Sequence, residues 1–161
     1  MHMQSEAKLA KLQTNGRSFG VFTLSRIAEG GNIFAFEGDE RWVWEIAQEK
    51  LDRCLQVGID RYIVPSPHSS GWYLNHSCIS NSYVSGKDQI VAIRDIEPRE
   101  EITMDYSLNV VWGGFRMKCK CQSPNCRSII SDYFSLPEDI RVNGRKYTSE
   151  YLLGLEFSGS D

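Results

Sequence analysis

Apolar and polar positions along this chain alternate over short stretches, and that period-two pattern predicts strands more often than helices. Residues 19–24 and 32–36 read as two strands separated by the turn Ala28-Glu29-Gly30-Gly31. Further strands are expected at 54–57, 61–64, 82–85, 89–94 and 101–106, with Gly86-Lys87-Asp88 suited to closing a hairpin. Pro65 and Pro67 hold 65–71 as a loop. Other stretches depart from alternation. Residues 4–12 suit a short helix, and 41–51 place Trp42, Val43, Ile46, Ala47 and Leu51 at helical spacing, which predicts an amphipathic helix. Leu136-Pro137-Glu138-Asp139 resembles a helix start. The expected fold is mainly β with a few short helices.

Composition narrows the functional classes. A chain of 161 residues with 41% hydrophobic and 24% charged positions is a folded domain with a real core. Lys plus Arg is 18 against 21 for Asp plus Glu, so the net charge of −3 offers no global field for a phosphate backbone, and direct nucleic-acid binding is not expected. No apolar run approaches the roughly 18 residues of a membrane span, and no charged stretch leads into an apolar signal core. The expectation is an intracellular protein without a membrane partner, and with no basic targeting run to choose nucleus over cytoplasm.

The five cysteines are Cys54, Cys78, Cys119, Cys121 and Cys126. An odd count without an export signal argues against a disulfide framework and for thiolate metal binding. Cys119, Cys121 and Cys126 have the spacing C-x-C-x4-C, with Pro124-Asn125 supplying a bend. Zinc is the natural ion, and a closed tetrahedral site needs a fourth ligand, for which Cys78 and Cys54 are the remaining thiols. The alternative is three surface thiols in a loop. A second constellation packs Asn75, His76, Ser77, Cys78 and Asn81 behind Trp72-Tyr73-Leu74. A Cys-His dyad is disfavoured there, because residues two apart rarely converge. A third is the strand Glu101-Ile102-Thr103-Met104-Asp105-Tyr106, which by itself reads as a strand ending in a core tyrosine.

Taken in order, Asn75-His76-Ser77-Cys78-x-x-Asn81, Arg94-Asp95-Ile96, Glu101 to Tyr106 and C-x-C-x4-C resemble the SET-domain protein lysine methyltransferases with a post-SET zinc motif. The resemblance covers about 16–127, and upstream Ser18-Phe19-Gly20 and Phe36-Glu37-Gly38 resemble the family's Gly-x-Gly and Tyr-x-Gly elements. It implies a β-clip-like fold of several small sheets with a pseudoknot. It divides the chain into an extension at 1–15, of which 1–2 read as an expression scar, a SET domain at 16–112 with a helical insert near 41–70, and a post-SET segment and tail at 113–161. No second cysteine cluster or basic tail accompanies it, so a free-standing catalytic unit is expected.

The resemblance also implies roles. The cofactor is S-adenosylmethionine, with Ser18, Phe19, Gly20, Tyr62, Tyr73, Asn75, His76 and Ile129 on its side. Tyr106 matches the catalytic tyrosine. Cys78, Cys119, Cys121 and Cys126 match the ligands of a structural zinc, leaving Cys54 as a spare, buried thiol. The substrate implied is a lysine in a protein, such as a histone tail or similar basic peptide; the alternative is a non-catalytic, zinc-containing SET-like binding module. Carboxylates Glu37, Asp39, Glu40 and Glu45 near the insert suit a basic peptide, or else form the solvated face of the 41–51 helix. The chain also departs from the family. Trp72-Tyr73 stands where Arg-Phe is common, Phe36 where Tyr is, and Cys126-Arg127-Ser128-Ile129 where Cys-Arg-Gly-aromatic is; the lid over the cofactor is then expected from Ile129, or from Tyr133 and Phe134. Met104 stands where Phe or Tyr is usual, which implies di- or trimethylation.

Overall fold

The computed structural model describes residues 8–14, 19–112 and 114–158. Its first six strands are β1 (Leu9–Leu12), β2 (Gly20–Thr23), β3 (Asn32–Ala35), β4 (Gly38–Trp42), β5 (Leu55–Gly58) and β6 (Arg61–Pro65). Then follow β7 (Asn75–His76), β8 (Ser82–Ser85), β9 (Gln89–Ala92), β10 (Glu101–Met104), β11 (Arg116–Lys118) and β12 (Ile129–Ser131). Two α-helices close the chain, α1 (Glu138–Gly144) and α2 (Glu150–Ser158). The fold is therefore several small sheets with few short helices. No helix among the described residues is long and apolar enough to cross a membrane.

The main sheet has the order β1-β2-β10-β8-β9-β3, with β7 also paired to β10. β8 and β9 form the expected hairpin, Ser85 opposite Gln89, and Gly86 takes the left-handed φ of +60° that the turn requires. β10 organises the molecule. It is antiparallel to β2 through Ile102 and Val21, and parallel to both β7 and β8 through Met104. This pairing brings 75–76 beside 103–106. Asn81 completes the edge: its side-chain Oδ1 accepts from Thr103 N at 2.9 Å and its Nδ2 donates to Glu101 O at 2.7 Å, replacing main-chain partners where β8 has not yet begun.

Inward positions of these strands make one core, in which Val21, Ile33, Val84, Ile90 and Ile102 are buried together with Ile96 from the β9–β10 connection. A second, smaller core joins Leu108 to Tyr133, Leu136 and Leu152. The C-terminal tail thus packs directly under the turn that follows β10.

Two expected helices are not present. Within 4–12, Leu9–Leu12 form strand β1, paired with β2 from Leu9 opposite Thr23 to Leu12 opposite Gly20. An isolated helix this short is marginal in water, whereas pairing satisfies the backbone and seats Leu9 against the core. The 41–51 segment begins as β4, with Arg41 opposite Tyr62 and Trp42 opposite Arg61, and continues as 3-10 turns at Val43–Glu45 and Gln48–Arg53. No residue of 41–51 is buried, so the helical spacing had no surface to pack on. Trp42 and Trp44 instead stack on each other in solvent, ring centroids 4.9 Å apart, and the Glu45 carboxylate accepts from Trp42 N. The insert is a three-stranded sheet, β4-β6-β5, flanked by 3-10 turns.

Gly38 fixes where this sheet leaves the core. A Cβ there would lie 2.7 Å from the Val64 carbonyl carbon and 2.9 Å from Pro65 Cα, both backbone atoms of β6 that cannot rotate away. Gly38→Ala is expected to destabilise the fold by about 1–3 kcal/mol, read as a lowered melting temperature.

Candidate active site and cysteine cluster

The site forms where β10 ends. Asp105 caps the turn Tyr106–Leu108 by accepting from Ser107 N at 3.1 Å. Tyr106 is thereby aimed back at β7. Its main-chain N donates to His76 Nδ1 at 3.2 Å, its hydroxyl donates to Leu74 O at 2.5 Å, and its ring meets the His76 ring edge-on at 5.3 Å. Asn75 points the other way, donating from Nδ2 to Phe19 O and to Glu101 Oε1, each at 2.8 Å. Gly20 permits this: a Cβ there would sit 3.0 Å from Glu101 Cδ.

Two cavities meet at this point. An open cleft has Phe36, Arg53, Tyr62, Leu74, Met104, Tyr106 and Trp112 among its walls. A second pocket is lined by Lys11, Phe19, Arg53, Trp72, Tyr73 and Asn75. Leu74 faces the first and Asn75 the second, so the main chain at 74–75 is the partition, and the Tyr106 hydroxyl rests on it from the cleft side.

The cysteine cluster lies directly behind. The Sγ atoms of Cys78, Cys119, Cys121 and Cys126 all fall within 4.8 Å of one another, and Cys78 and Cys119 are 3.7 Å apart. A tetrahedral ion with Zn–S near 2.3 Å places its sulfurs about 3.8 Å apart, the Cys78–Cys119 spacing, and the other thiols are close enough to converge on the same ion. Main-chain N–H groups of Arg127, Ser128 and Cys121 donate to Cys78, Cys126 and Cys119 Sγ at 3.4, 3.4 and 3.5 Å, bonds that by themselves favour the thiolate against the cost of burial. Burial pushes the Cys78 and Cys119 thiols up; it acts on Cys121 as well, but hydrogen bonds, that from Ser123 foremost, outweigh it and bring this thiol down to about 5. Cys54 stands apart, half-buried in the cleft wall, its Sγ donating to Lys50 O and its thiol pushed up to about 11 by burial.

Arg127 links cluster and site. Its guanidinium grips Asp105 with two bonds of 2.8 and 2.6 Å, and Asp105 Oδ1 lies 3.5 Å from His76 Nδ1. His76 Nε2 is 3.3 Å from Cys78 Sγ. The chain reverses tightly to allow this: Ser128 sits at φ +64°, where glycine is unstrained. Ser128→Gly is expected to raise stability by about 0.5–1 kcal/mol, measured by denaturant titration with the metal retained.

A family profile described as the SET domain matches residues 18–107, more than half of the chain. The chain belongs to the SET-domain family. Among relatives, the variant-silencing SET domain-containing protein of Plasmodium falciparum is 32% identical over 135 residues, covering 71% of this chain and 5% of that protein. The H3 lysine-4 specific histone-lysine N-methyltransferase of Candida albicans is 27% identical over 133 residues, covering 71% of this chain and 12% of the relative. The chain thus spans a small part of the curated relatives it matches. Among solved structures, Arabidopsis thaliana SUVH6 in complex with SAM superposes with a TM-score of 0.67 at 20% identity, covering 78% of this chain and 33% of that one. That likeness establishes the SET fold.

Within the SET domain the structure gathers Phe19, Tyr73 and Asn75 at one pocket, with His76 and Gly20 adjoining, and puts Tyr106 on the partition. Ser18 lies outside the described residues. Tyr62 is placed elsewhere: it lines the cleft, where burial pushes its phenol up to about 12. Ile129 pairs with Lys118 on the β11–β12 hairpin and lines neither cavity. Tyr133 is fully buried, its hydroxyl donating to Glu156, and so belongs to the second core rather than to a lid. Of the acidic residues near the insert, Asp39 pairs with Arg41, Glu40 with Arg61 and Lys87, and Glu45 caps Trp42 N. Asp39, Glu40 and Glu45 thus each have a partner within the protein, with Asp39 still largely exposed. Sequence reasoning missed Asp105 and Arg127, although both stand beside motif residues, and it missed Lys11 and Arg53, which carry no local signal.

Proposed function

We propose that this chain is an S-adenosylmethionine-dependent protein-lysine N-methyltransferase that holds a structural zinc on Cys78, Cys119, Cys121 and Cys126. The observation that carries the reading is the partition: the Tyr106 hydroxyl rests on the main chain at 74–75 from a largely apolar cleft, and a second pocket lined by Phe19, Tyr73 and Asn75 lies on the other side. Such a wall keeps two reactants apart except at one point. Phe19, Tyr73 and Asn75 would hold S-adenosylmethionine, whose positive sulfonium would supply the methyl group and become a neutral thioether on transfer.

The chain's own residues meet the difficulty of the other reactant. A lysine ammonium with pKa near 10.4 must lose a proton, which at pH 7 costs about 4.6 kcal/mol. Phe36, Leu74 and Met104 in the cleft disfavour the charged form by desolvation and so lower that cost. The Tyr106 hydroxyl orients the neutral amine toward the partition. Phe36 and Met104 bring no hydroxyl that would hold back an amine already carrying a methyl group. Mass spectrometry of the product is therefore expected to show mainly di- and trimethyl-lysine; monomethyl-lysine alone would contradict this.

The substrate class proposed is a lysine in a histone tail, and with it a nuclear location. Support comes from the names of relatives, among them the H3 lysine-4 specific enzyme, and from a similar structure, KRYPTONITE, described with an H3(1–15) peptide and SAH. The test is transfer of labelled methyl groups to core histones, then to a whole lysate. Labelled histone is the expected result. Cofactor binding without label in any protein would favour the non-catalytic binding module instead.

A further inference from the structure

The outer edge of the insert sheet is open. β4 stands at the end of the order β4-β6-β5, no strand among the described residues pairs with its other side, and all five of its residues are exposed. The register shows which main-chain groups face outward. Val43 N donates to Asp60 O at 2.9 Å, and bonded and non-bonded pairs alternate along an antiparallel ladder, so Arg41 with Tyr62 and Asp39 with Val64 are the bonded pairs across to β6. Gly38, Glu40 and Trp42 therefore turn their N–H and C=O groups away from β6. Two observations agree with this: Gly38 lies opposite Pro65, which has no N–H to give, and Trp42 N–H is taken by the Glu45 carboxylate instead. Glu40, at the centre of the strand, directs both main-chain groups at solvent.

We propose that this edge joins a second copy of the chain, β4 to β4 antiparallel about a two-fold axis at Glu40, so that two inserts make one continuous sheet. The edge is complementary to itself. Centring Gly38-Asp39-Glu40-Arg41-Trp42 on Glu40 lets the two copies of that residue exchange main-chain bonds, and it sets Asp39 opposite the partner's Arg41 at non-bonded positions, where facing side chains are closest. Within one copy Asp39 Oδ2 and Arg41 Nη2 lie 3.2 Å apart on one face, with both side chains half exposed or more, so the two-fold axis brings four charges together with unlike neighbours. Charges on an edge strand commonly hold other strands off. Here they are placed so that a copy of the same edge meets its opposite sign. Glu40 meets its own like charge, but Arg61 and Lys87 already balance its carboxylate. Gly38 carries no side chain and leaves space for the ring of the partner's Trp42, which otherwise stacks with Trp44 in solvent, the two being 41% and 68% exposed.

Sedimentation velocity over a concentration series reaching about 1 mM tests the pairing. Wild type is expected to move from the mass of one chain to that of two as concentration rises. Asp39→Arg puts two cations on the facing positions and Arg41→Asp puts two carboxylates there. Each is expected to weaken self-association at least about tenfold, because two facing pairs turn from attraction to repulsion. An equal mixture of the two variants is expected to recover the dimer, since the cations of one then meet the carboxylates of the other. The double variant Asp39→Arg/Arg41→Asp exchanges the charges, keeps every facing pair unlike and is expected to recover it alone. Both positions are exposed, so melting curves should match wild type throughout. Wild type that stays at the mass of one chain would overturn the proposal. So would a dimer that persists in both single variants, or single variants that fail to associate when mixed. None of these outcomes bears on the methyltransferase reading.

Discussion

Tyr106→Phe is expected to lower methyl transfer by about 10²-fold or more while the protein still folds, binds metal and binds S-adenosylhomocysteine. The substitution removes one atom from the partition. The phenyl ring keeps its edge-on contact with His76, and the main-chain N–H keeps its bond to His76 Nδ1. What is lost is the hydroxyl on Leu74 O, a bond worth about 0.5–1.5 kcal/mol of stability, small beside the predicted change in rate. Transfer depends on the amine entering with its lone pair directed at the partition, and a misplacement of about 1 Å in such a geometry costs about 10²-fold. Labelled transfer to histones gives the rate and calorimetry gives the affinity. Rate retained within a few-fold would remove Tyr106 from the catalytic role. Rate and affinity falling together would assign it to binding.

The site was legible in sequence where its contacts are short-range or its residues are chemically rare. The β8–β9 hairpin follows from alternation around a short turn, and the three clustered cysteines announce a metal because thiols seldom crowd without one. Asn75, His76 and Tyr106 were found because their types recur in a fixed order. Residues that act through space were not found. Lys11 and Arg53 come together only because β1 lies against β2 and the insert folds back over Trp72, and neither event has a local pattern. Tyr62 shows the limit of alternation: period two says that successive side chains face opposite ways, but not which face meets which cavity. The 41–51 segment failed for the opposite reason. Its apolar spacing is helical, yet helices of this length are stabilised by the surface they cover, and sequence alone does not show that none is available here.

Removing the metal is expected to disable the SET domain as well as the segment that binds it. The β11–β12 hairpin has three residues in each strand, too few to be stable alone, and the loop between them carries Cys119, Cys121 and Cys126. Cys78 is the one ligand outside that loop, and it follows His76 by two positions. Losing the ion frees the loop, and with it Arg127, whose guanidinium balances the buried Asp105. An uncompensated charge at that depth costs about 3–5 kcal/mol, and it sits beside Tyr106 and against the His76 ring. Chelation, or Cys121→Ser, is therefore expected to drop the metal-to-protein ratio well below one, lower the melting temperature and weaken S-adenosylhomocysteine binding at least about tenfold. An unchanged metal ratio in Cys121→Ser would refute the ligand set. Arg127→Met separates the two halves of the argument. It keeps all four thiols, so the metal should stay, while the loss of the Asp105 pair should still weaken cofactor binding. Metal retained with full cofactor affinity would show that the cluster and the pocket are connected by some other path than Arg127, Asp105 and His76.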